Sequence, residues 1–411
     1  MKYLDKDILF VFNALKKNDI SKEKFKKEAL DNIKDTNIFK LINDKINYPD
    51  TDNILSCIPY TLKDNISTKD IITTAGLNTL KNYVPVYNAT CYEKLSSKGA
   101  IMIGKPIRDE LETSVKKDLV SYAIGTDTFG EIRNTSVVGY KPSYGLISRY
   151  GVFAYASSFD HVGIYAKNVL DATLVVDEIK GYDKKDMTSI NDMDDIKLKD
   201  YLNNNVNGKK IFYIKELIND QHYMKEIIDK IKTLGIEIYE ESIDINLLNA
   251  IKPVHDMISL AELSSNTSNL TGIIFGDANK NGNINDMMKK HRSESLTSTM
   301  KRKLIMGSYI LQKENINNYF INAKKVRRLI VNTFNNLFNN YDALILPILS
   351  NKDNNSNNHL LIGNLGGYPS ITVNINKMPI SVNITGKYKE DGKALNIASY
   401  IEKLFNKEDK K

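Results

Sequence analysis

Tryptophan is absent from this 411-residue chain, and cysteine occurs only twice, as Cys57 and Cys91. The two thiols lie in different segments at no metal-ligand spacing, so no metal site is expected, and isolated cysteines fit a reducing cytosol. No apolar run reaches the roughly 18 residues that a membrane span needs, so no membrane partner is expected. The first residues, Met1-Lys2-Tyr3-Leu4-Asp5, lack the long apolar stretch of a signal peptide. These absences together lead to the expectation of a cytoplasmic protein. No internal repeat, Walker loop, zinc pattern or dinucleotide fingerprint is found. Charge of one sign is also in short supply: 57 basic against 50 acidic residues leave +7, which makes no nucleic-acid case by itself. The missing tryptophan, set against abundant lysine and asparagine, looks like compositional drift rather than a functional demand.

What is present suffices for a large core, since 42% of the residues are hydrophobic. Helical spacing predicts a first helix over 5–17, with Ile8, Leu9, Phe12 and Leu15 inward. A second, capped by Ser21, is predicted over 22–34, with Phe25, Ala29, Leu30 and Ile33 inward. Residues 58–62 and 100–105 read as buried strands, with a helix between them from a cap at Asn88 to Ser97. Further strands are predicted at 209–214, 236–241, 341–347, 370–376 and 380–385, with helices at 168–180, 220–234, 317–339 and 395–404. This alternation predicts an α/β fold: a mixed central sheet covered by helices on both faces. The expected division is a helical pair over 1–50 packed on one α/β unit over 51–411, with a mobile Asn-rich loop at 351–358.

The chemistry-bearing stretch is Gly125-Thr126-Asp127-Thr128-Phe129-Gly130-Glu131-Ile132-Arg133, which follows an apolar segment. A strand that ends in such a loop can turn sharply and aim backbone N–H groups into a cavity, where they stabilise an oxyanion. Around it stand 58–65 (Ile-Pro-Tyr-Thr-Leu-Lys-Asp-Asn), 138–145 (Val-Gly-Tyr-Lys-Pro-Ser-Tyr-Gly), 148–152 (Ser-Arg-Tyr-Gly-Val) and 156–160 (Ala-Ser-Ser-Phe-Asp). This ordered set resembles the amidase signature family, and most closely its branch of glutaminase subunits from tRNA-dependent amidotransferases. The resemblance runs from about residue 4 to 405. It implies the amidase-signature fold and amide hydrolysis by a serine, a second serine on a cis peptide and a lysine. Lys63, delivered by the 58–62 strand, matches the lysine, and burial there would lower its pKa toward that of a base. In that branch the glutaminase chain releases ammonia from glutamine and works in a heterotrimer with the B and C subunits. The resemblance assigns ATP, Mg²⁺ and most of the tRNA contact to the partners, with no cofactor in this chain. It also implies an arginine that holds the glutamine carboxylate. Arg302 is the candidate, against the alternative of an ordinary helix-surface arginine.

The chain departs from that pattern at two places. The glycine- and serine-rich loop of the family is missing: residues 112–118 lead almost directly to the segment 119–124. Ser114 is the only serine nearby and has no glycine beside it. A cis non-proline bond costs about 3–4 kcal/mol and needs supporting surroundings, so Ser114 is not assigned the cis-serine role. In the second place, Phe129 stands where the family has glycine, and Glu131 where it has the nucleophilic serine. Thr128, Phe129 and Gly130 form the expected oxyanion loop, and a carboxylate at 131 repels a developing oxyanion. The leading expectation is a glutaminase-type subunit whose own hydrolysis is lost or severely impaired. Beside it stands a non-catalytic scaffold supplied with free ammonia, and, third, a stand-alone amidase.

Overall fold

The computed structural model describes residues 3–34, 36–44, 48–107, 110–218, 222–276, 282–349, 357–375 and 380–406. Asp109, Asp220, most of the 351–358 loop and the charged tail from 407 lie outside the described residues.

Among the described residues, eleven strands join in one mixed sheet. They are β1 (Phe39–Ile42), β2 (Pro59–Leu62), β3 (Ile101–Pro106), β4 (Tyr122–Asp127), β5 (Val138–Lys141), β6 (His161–Ala166), β7 (Lys210–Ile214), β8 (Glu237–Glu241), β9 (Ala343–Leu349), β10 (Ser370–Val373) and β11 (Ile380–Gly386). Their order across the sheet is β1-β3-β2-β4-β6-β5-β10-β11-β9-β7-β8. β2 runs parallel to β3 and β4, and β7 parallel to β8 and β9. The centre, from β4 to β9, is antiparallel. β3 and β4 are buried along their whole length, as strands covered on both faces are, including the polar Lys105 of β3 and Thr126 and Asp127 of β4.

The helices are α1 (Ile8–Lys16), α2 (Lys22–Lys34), α3 (Thr90–Ser97), α4 (Leu111–Lys116), α5 (Val169–Ile179), α6 (Lys215–Ile218), α7 (His222–Lys232), α8 (Ile245–Asn266), α9 (Ile284–Ser295), α10 (Ser298–Ile310), α11 (Asn322–Phe338), α12 (Leu361–Gly366) and α13 (Asp391–Asn406). Strand alternation divides the core in two. Ile211, Ala343 and Ile345 face the layer of α1, α2, α5 and α13, whereas Phe212, Leu344 and Leu346 face α8, α11 and α12.

Several expectations need correction. The inner face of α1 is Ile8, Val11, Ala14 and Leu15, with Leu9 turned outward, because the 3.6-residue period carries Val11 over Ile8. Asn88 does not cap α3, whose cap position is Ala89. Its carboxamide oxygen instead accepts the Lys69 N–H at 2.7 Å. The edge strand β1 and the long α8 stand where the sequence pattern predicted no element. The 317–339 helix begins with a π-turn at Asn317–Ile321 before α11. Ser21 and Asn168 do cap as expected, accepting the N–H groups of Lys24 and Asp171.

Candidate functional site

β4 is the strand that presents the site. It pairs with β2 on one side and β6 on the other, and at its end the chain turns through residues 128–133. Asp127 shapes this turn. Its Oδ1 accepts the Gly130 N–H at 3.1 Å and closes the loop on the strand end. Gly130 has φ +90°, and a Cβ there would lie 3.2 Å from that of Leu360, so both conformation and space select glycine.

Arg133 and Asp127 form a fully buried ion pair, with Nε and Nη2 donating to the two carboxylate oxygens at 3.1 and 3.0 Å. By their place in the family-like motifs, Arg133 and Asp160 make a plausible pair, and the geometry corrects this. The Asp160 carboxylate accepts Thr128 Oγ1 at 2.7 Å and the N–H groups of Tyr155 and Ala156. The remaining Arg133 donors reach the Leu360 carbonyl at 2.5 Å and the Asn364 side chain, whose own amide donates to Asp127 at 2.8 Å. Burial alone would raise the Asp127 pKa, but the Arg133 guanidinium and Asn364 hold it well below the usual carboxylate range. Burial instead leaves Asp160 raised.

Lys63 leaves the end of β2 with its backbone N–H on the Ile124 carbonyl at 2.9 Å. It is half-buried. Its Nζ donates to Thr126 Oγ1 at 2.9 Å and lies 3.4 Å from the Thr126 carbonyl. From its place at the strand end beside the 125–133 loop, Lys63 is expected to face Glu131 or Thr128, but residue 126 is the one whose side chain meets it. Asn65 Nδ2 donates to the same hydroxyl at 3.1 Å. Ser114 is buried on α4 and committed to local bonds, donating to the Leu111 carbonyl at 2.7 Å and lying 3.0 Å from Thr61 Oγ1.

Glu131 folds back over its own loop. Its Oε2 accepts the N–H groups of Thr128 and Phe129, both at 2.8 Å. The Phe129 ring packs edge-on against Tyr155 and His255 at 5.1 and 4.9 Å. Lys303 Nζ lies over both the Phe129 and Tyr155 rings and donates to the Tyr155 hydroxyl at 3.0 Å. His255, on α8, donates from Nε2 to the Thr128 carbonyl at 2.8 Å, since a carbonyl can only accept. Arg302 lies on the exposed face of α10. Among the described residues no group of three or more His, Cys, Asp or Glu side chains is placed to hold a metal. A cavity of about 200 Å³ is lined by Arg149, Tyr150, Ser157, Asp160 and Lys185 among others and by no residue of the 125–133 loop; Asp160, bound to Thr128, links the two.

Sequence reasoning missed His255, Lys303 and Asn364 as neighbours of the loop. Lys303 was within reach of it: on α10 it sits four residues before the buried Gly307, hence on the same side. For His255 the sequence carries no such signal.

A model of the amidase family matches residues 36–117 and 114–395, two pieces that meet on the short α4 connection. The A subunit of the glutamyl-tRNA(Gln) amidotransferase of Mycoplasma genitalium is 35% identical, covering 90% of this chain and 91% of its own length. That alignment spans 432 residues, more than this chain contains, so the relative carries residues with no counterpart here. The A subunit of the same enzyme from Orientia tsutsugamushi (strain Ikeda) is 33% identical over 85% of this chain and 84% of its own. Among solved structures, that of the Thermotoga maritima glutamyl-tRNA(Gln) amidotransferase A subunit superposes with a TM-score of 0.80. It is 25% identical over 98% of this chain and 95% of its own.

Proposed function

The chain belongs to the amidase family, in the branch of glutamyl-tRNA(Gln) amidotransferase A subunits, and from that premise we propose that it serves as the A subunit of a tRNA-dependent amidotransferase while its own glutamine hydrolysis is lost or severely impaired. The observation that carries the second half is the Glu131 carboxylate on the Thr128 and Phe129 N–H groups. An acyl-transfer loop needs those donors free for the oxyanion and a nucleophile beside them. Here a carboxylate takes the donors and stands where the nucleophile belongs. Lys63 is retained and meets Thr126 in place of a serine relay. Thr126 is the hydroxyl nearest the lysine, but no free pair of loop amides accompanies it.

The reading assigns glutamine-side contacts to the α10 segment, which carries both Arg302 and Lys303. ATP and Mg²⁺ belong to a partner chain, which also carries most of the tRNA contact. The B and C partners complete the heterotrimer. The helical pair α1–α2 is proposed as part of the surface they meet, and the outward Leu9 and Phe10, each 42% exposed, support this. With hydrolysis lost, the complex would take free ammonia, which is the scaffold reading. It is favoured by the same filled loop.

The test is co-expression with the B and C subunits, followed by ammonia release from glutamine and amidation of misacylated tRNA. The expected result is a stable complex that amidates with ammonium salts and gives negligible turnover with glutamine. Glu131→Ser alone should stay inactive, because coupled catalytic groups act as a unit and the serine-rich loop is still missing. Glutamine turnover near the ~10 s⁻¹ of an ordinary enzyme, abolished by Lys63→Ala, would overturn the loss of hydrolysis. Failure to bind either partner would overturn the proposed place in the complex.

A further inference from the structure

Three successive amide N–H groups, those of Thr128, Phe129 and Gly130, are all directed at side-chain carboxylates of the same turn. The first two converge on a single oxygen, Glu131 Oε2, at 2.8 Å each, and the third goes to Asp127 Oδ1 at 3.1 Å. Consecutive amides that converge on one point form a concave nest for an anionic oxygen. The spacing Thr-x-x-Glu makes the closure local: a glutamate three residues on reaches back to the first amide, as in a helix capping box.

The surroundings hold this closure in place from the other side. The Phe129 ring is wedged between Tyr155 and His255, Lys303 lies over it, and His255 fixes the Thr128 carbonyl. Tyr165 donates to the Glu131 carbonyl at 3.1 Å and anchors the residue from behind. Thr128 itself is buried, and its hydroxyl is bound to Asp160. Every part of the loop is therefore positioned, and the one anionic oxygen in the nest is the chain's own.

We propose that the Thr128–Phe129 amide pair is a carboxylate-binding nest whose resident ligand is the Glu131 side chain, an internal plug that keeps small carboxylates out of the loop. The ligand class is a monocarboxylate of acetate size, which presents the same oxygen to the same two donors. The inference shares the Glu131 closure with the loss of hydrolysis proposed above and is independent of the place in the amidotransferase complex, so exchange data that refute the nest leave partner binding untouched.

The experiment is hydrogen–deuterium exchange with single-residue readout across residues 125–133 of the full chain, with acetate or chloride at matched ionic strength. In the unaltered chain the Thr128 and Phe129 amides should be protected, and acetate should change nothing. In Glu131→Ala they should exchange roughly tenfold faster or more, the scale of a charge-assisted hydrogen bond. Acetate, and not chloride, should then restore protection saturably. Glu131→Gln keeps an acceptor oxygen in place and should lie between the two, without an acetate response. Unprotected amides in the unaltered chain would overturn the proposal, as would full protection in Glu131→Ala without acetate or an equal acetate response in both. Should Glu131→Ala fail to fold, Glu131→Ser, which also clears the carboxylate from the nest, takes its place in the acetate comparison with the same expected and overturning results.

Discussion

Asp127 and Arg133 carry a full charge each where no water reaches, and each charge is matched bond for bond. Such a pair is poor evidence of net stabilisation, but breaking it leaves one charge stranded. Arg133→Met should therefore destabilise the chain by about 3–5 kcal/mol in denaturant unfolding. A loss under about 1 kcal/mol, the scale of an exposed pair, would show that the carboxylate finds other compensation. The sequence made Arg133 legible as part of the site's scaffold but misassigned its partner. Motif order says that an arginine and two aspartates lie near one loop. Which aspartate faces it depends on the turn, and Asp127, six residues back at the strand end, lies on the guanidinium's side. Lys63 is similar: its place at the end of β2 was legible, whereas its contact with Thr126 depends on the pairing of β2 with β4.

Among the elements, α10 is tied to the site through Lys303 and to α8 through the buried Leu304 and Ile310 and a close approach at Gly307. A Cβ at Gly307 would stand 2.1 Å from the Leu260 carbonyl oxygen of α8 and 2.8 Å from Ser264 Cβ. Because the first obstacle is backbone, the helix itself must move. Gly307→Ala should cost about 1–3 kcal/mol as overpacking, read as a lower urea midpoint. Ile305→Ala, on the outward face of the same helix at 69% exposure, should stay within about 0.5 kcal/mol. Equal effects at the two positions would show that α10 is not held by this close approach. Periodicity made most strands and the amphipathic α2 and α11 legible, and the Asn168 cap with the Gly181 stop marked the largely buried α5. It failed on α8, which carries Pro253 in its interior and is more evenly apolar. It also failed on β1, four residues at the sheet edge, too short for a pattern. The short β3–α4–β4 connection was visible as a missing segment, while the helix that fills it was not.

At the scale of the whole molecule, the described chain is held together where α1, α5 and α13 converge on two buried carboxylates. Asp171 accepts the Ile8 N–H at the start of α1, and Glu402 accepts the Val169 N–H at the start of α5. Burial raises both pKa values to about 7; Asp7 adds to the rise of Asp171, while Lys167 and Lys403 oppose it at Asp171 and Glu402 respectively. In an unfolded chain the same groups titrate near 3.9 and 4.3. Between about pH 4 and 7 the folded state thus keeps protons that the unfolded chain has released, so these two groups make stability fall as pH rises through that window. Lys105 acts in the adjoining window. It is fully buried on Thr73 Oγ1 and the Ile66 carbonyl, and burial lowers its pKa to about 7. From about pH 7 to 10 the unfolded chain binds the extra proton, and stability from this group rises with pH. Asp127 works the other way from its fellow acids: the stability it supplies is lost only as pH falls through its depressed folded value. Taken alone, these groups give a shallow minimum near neutrality between two more stable flanks; His161 and His359, whose pKa values burial lowers, oppose the fall below about pH 6.5, so the contribution of the two carboxylates is read as the difference between two chains. Asp171→Asn with Glu402→Gln keeps the acceptor oxygens and removes the titration, so the fall from pH 5 to 7 should flatten while the rise above 7 remains. Denaturant midpoints measured every half pH unit on both chains would show this. The same slope from pH 5 to 7 in both chains would mean that the two carboxylates ionise like exposed ones, and that the three-helix junction admits water.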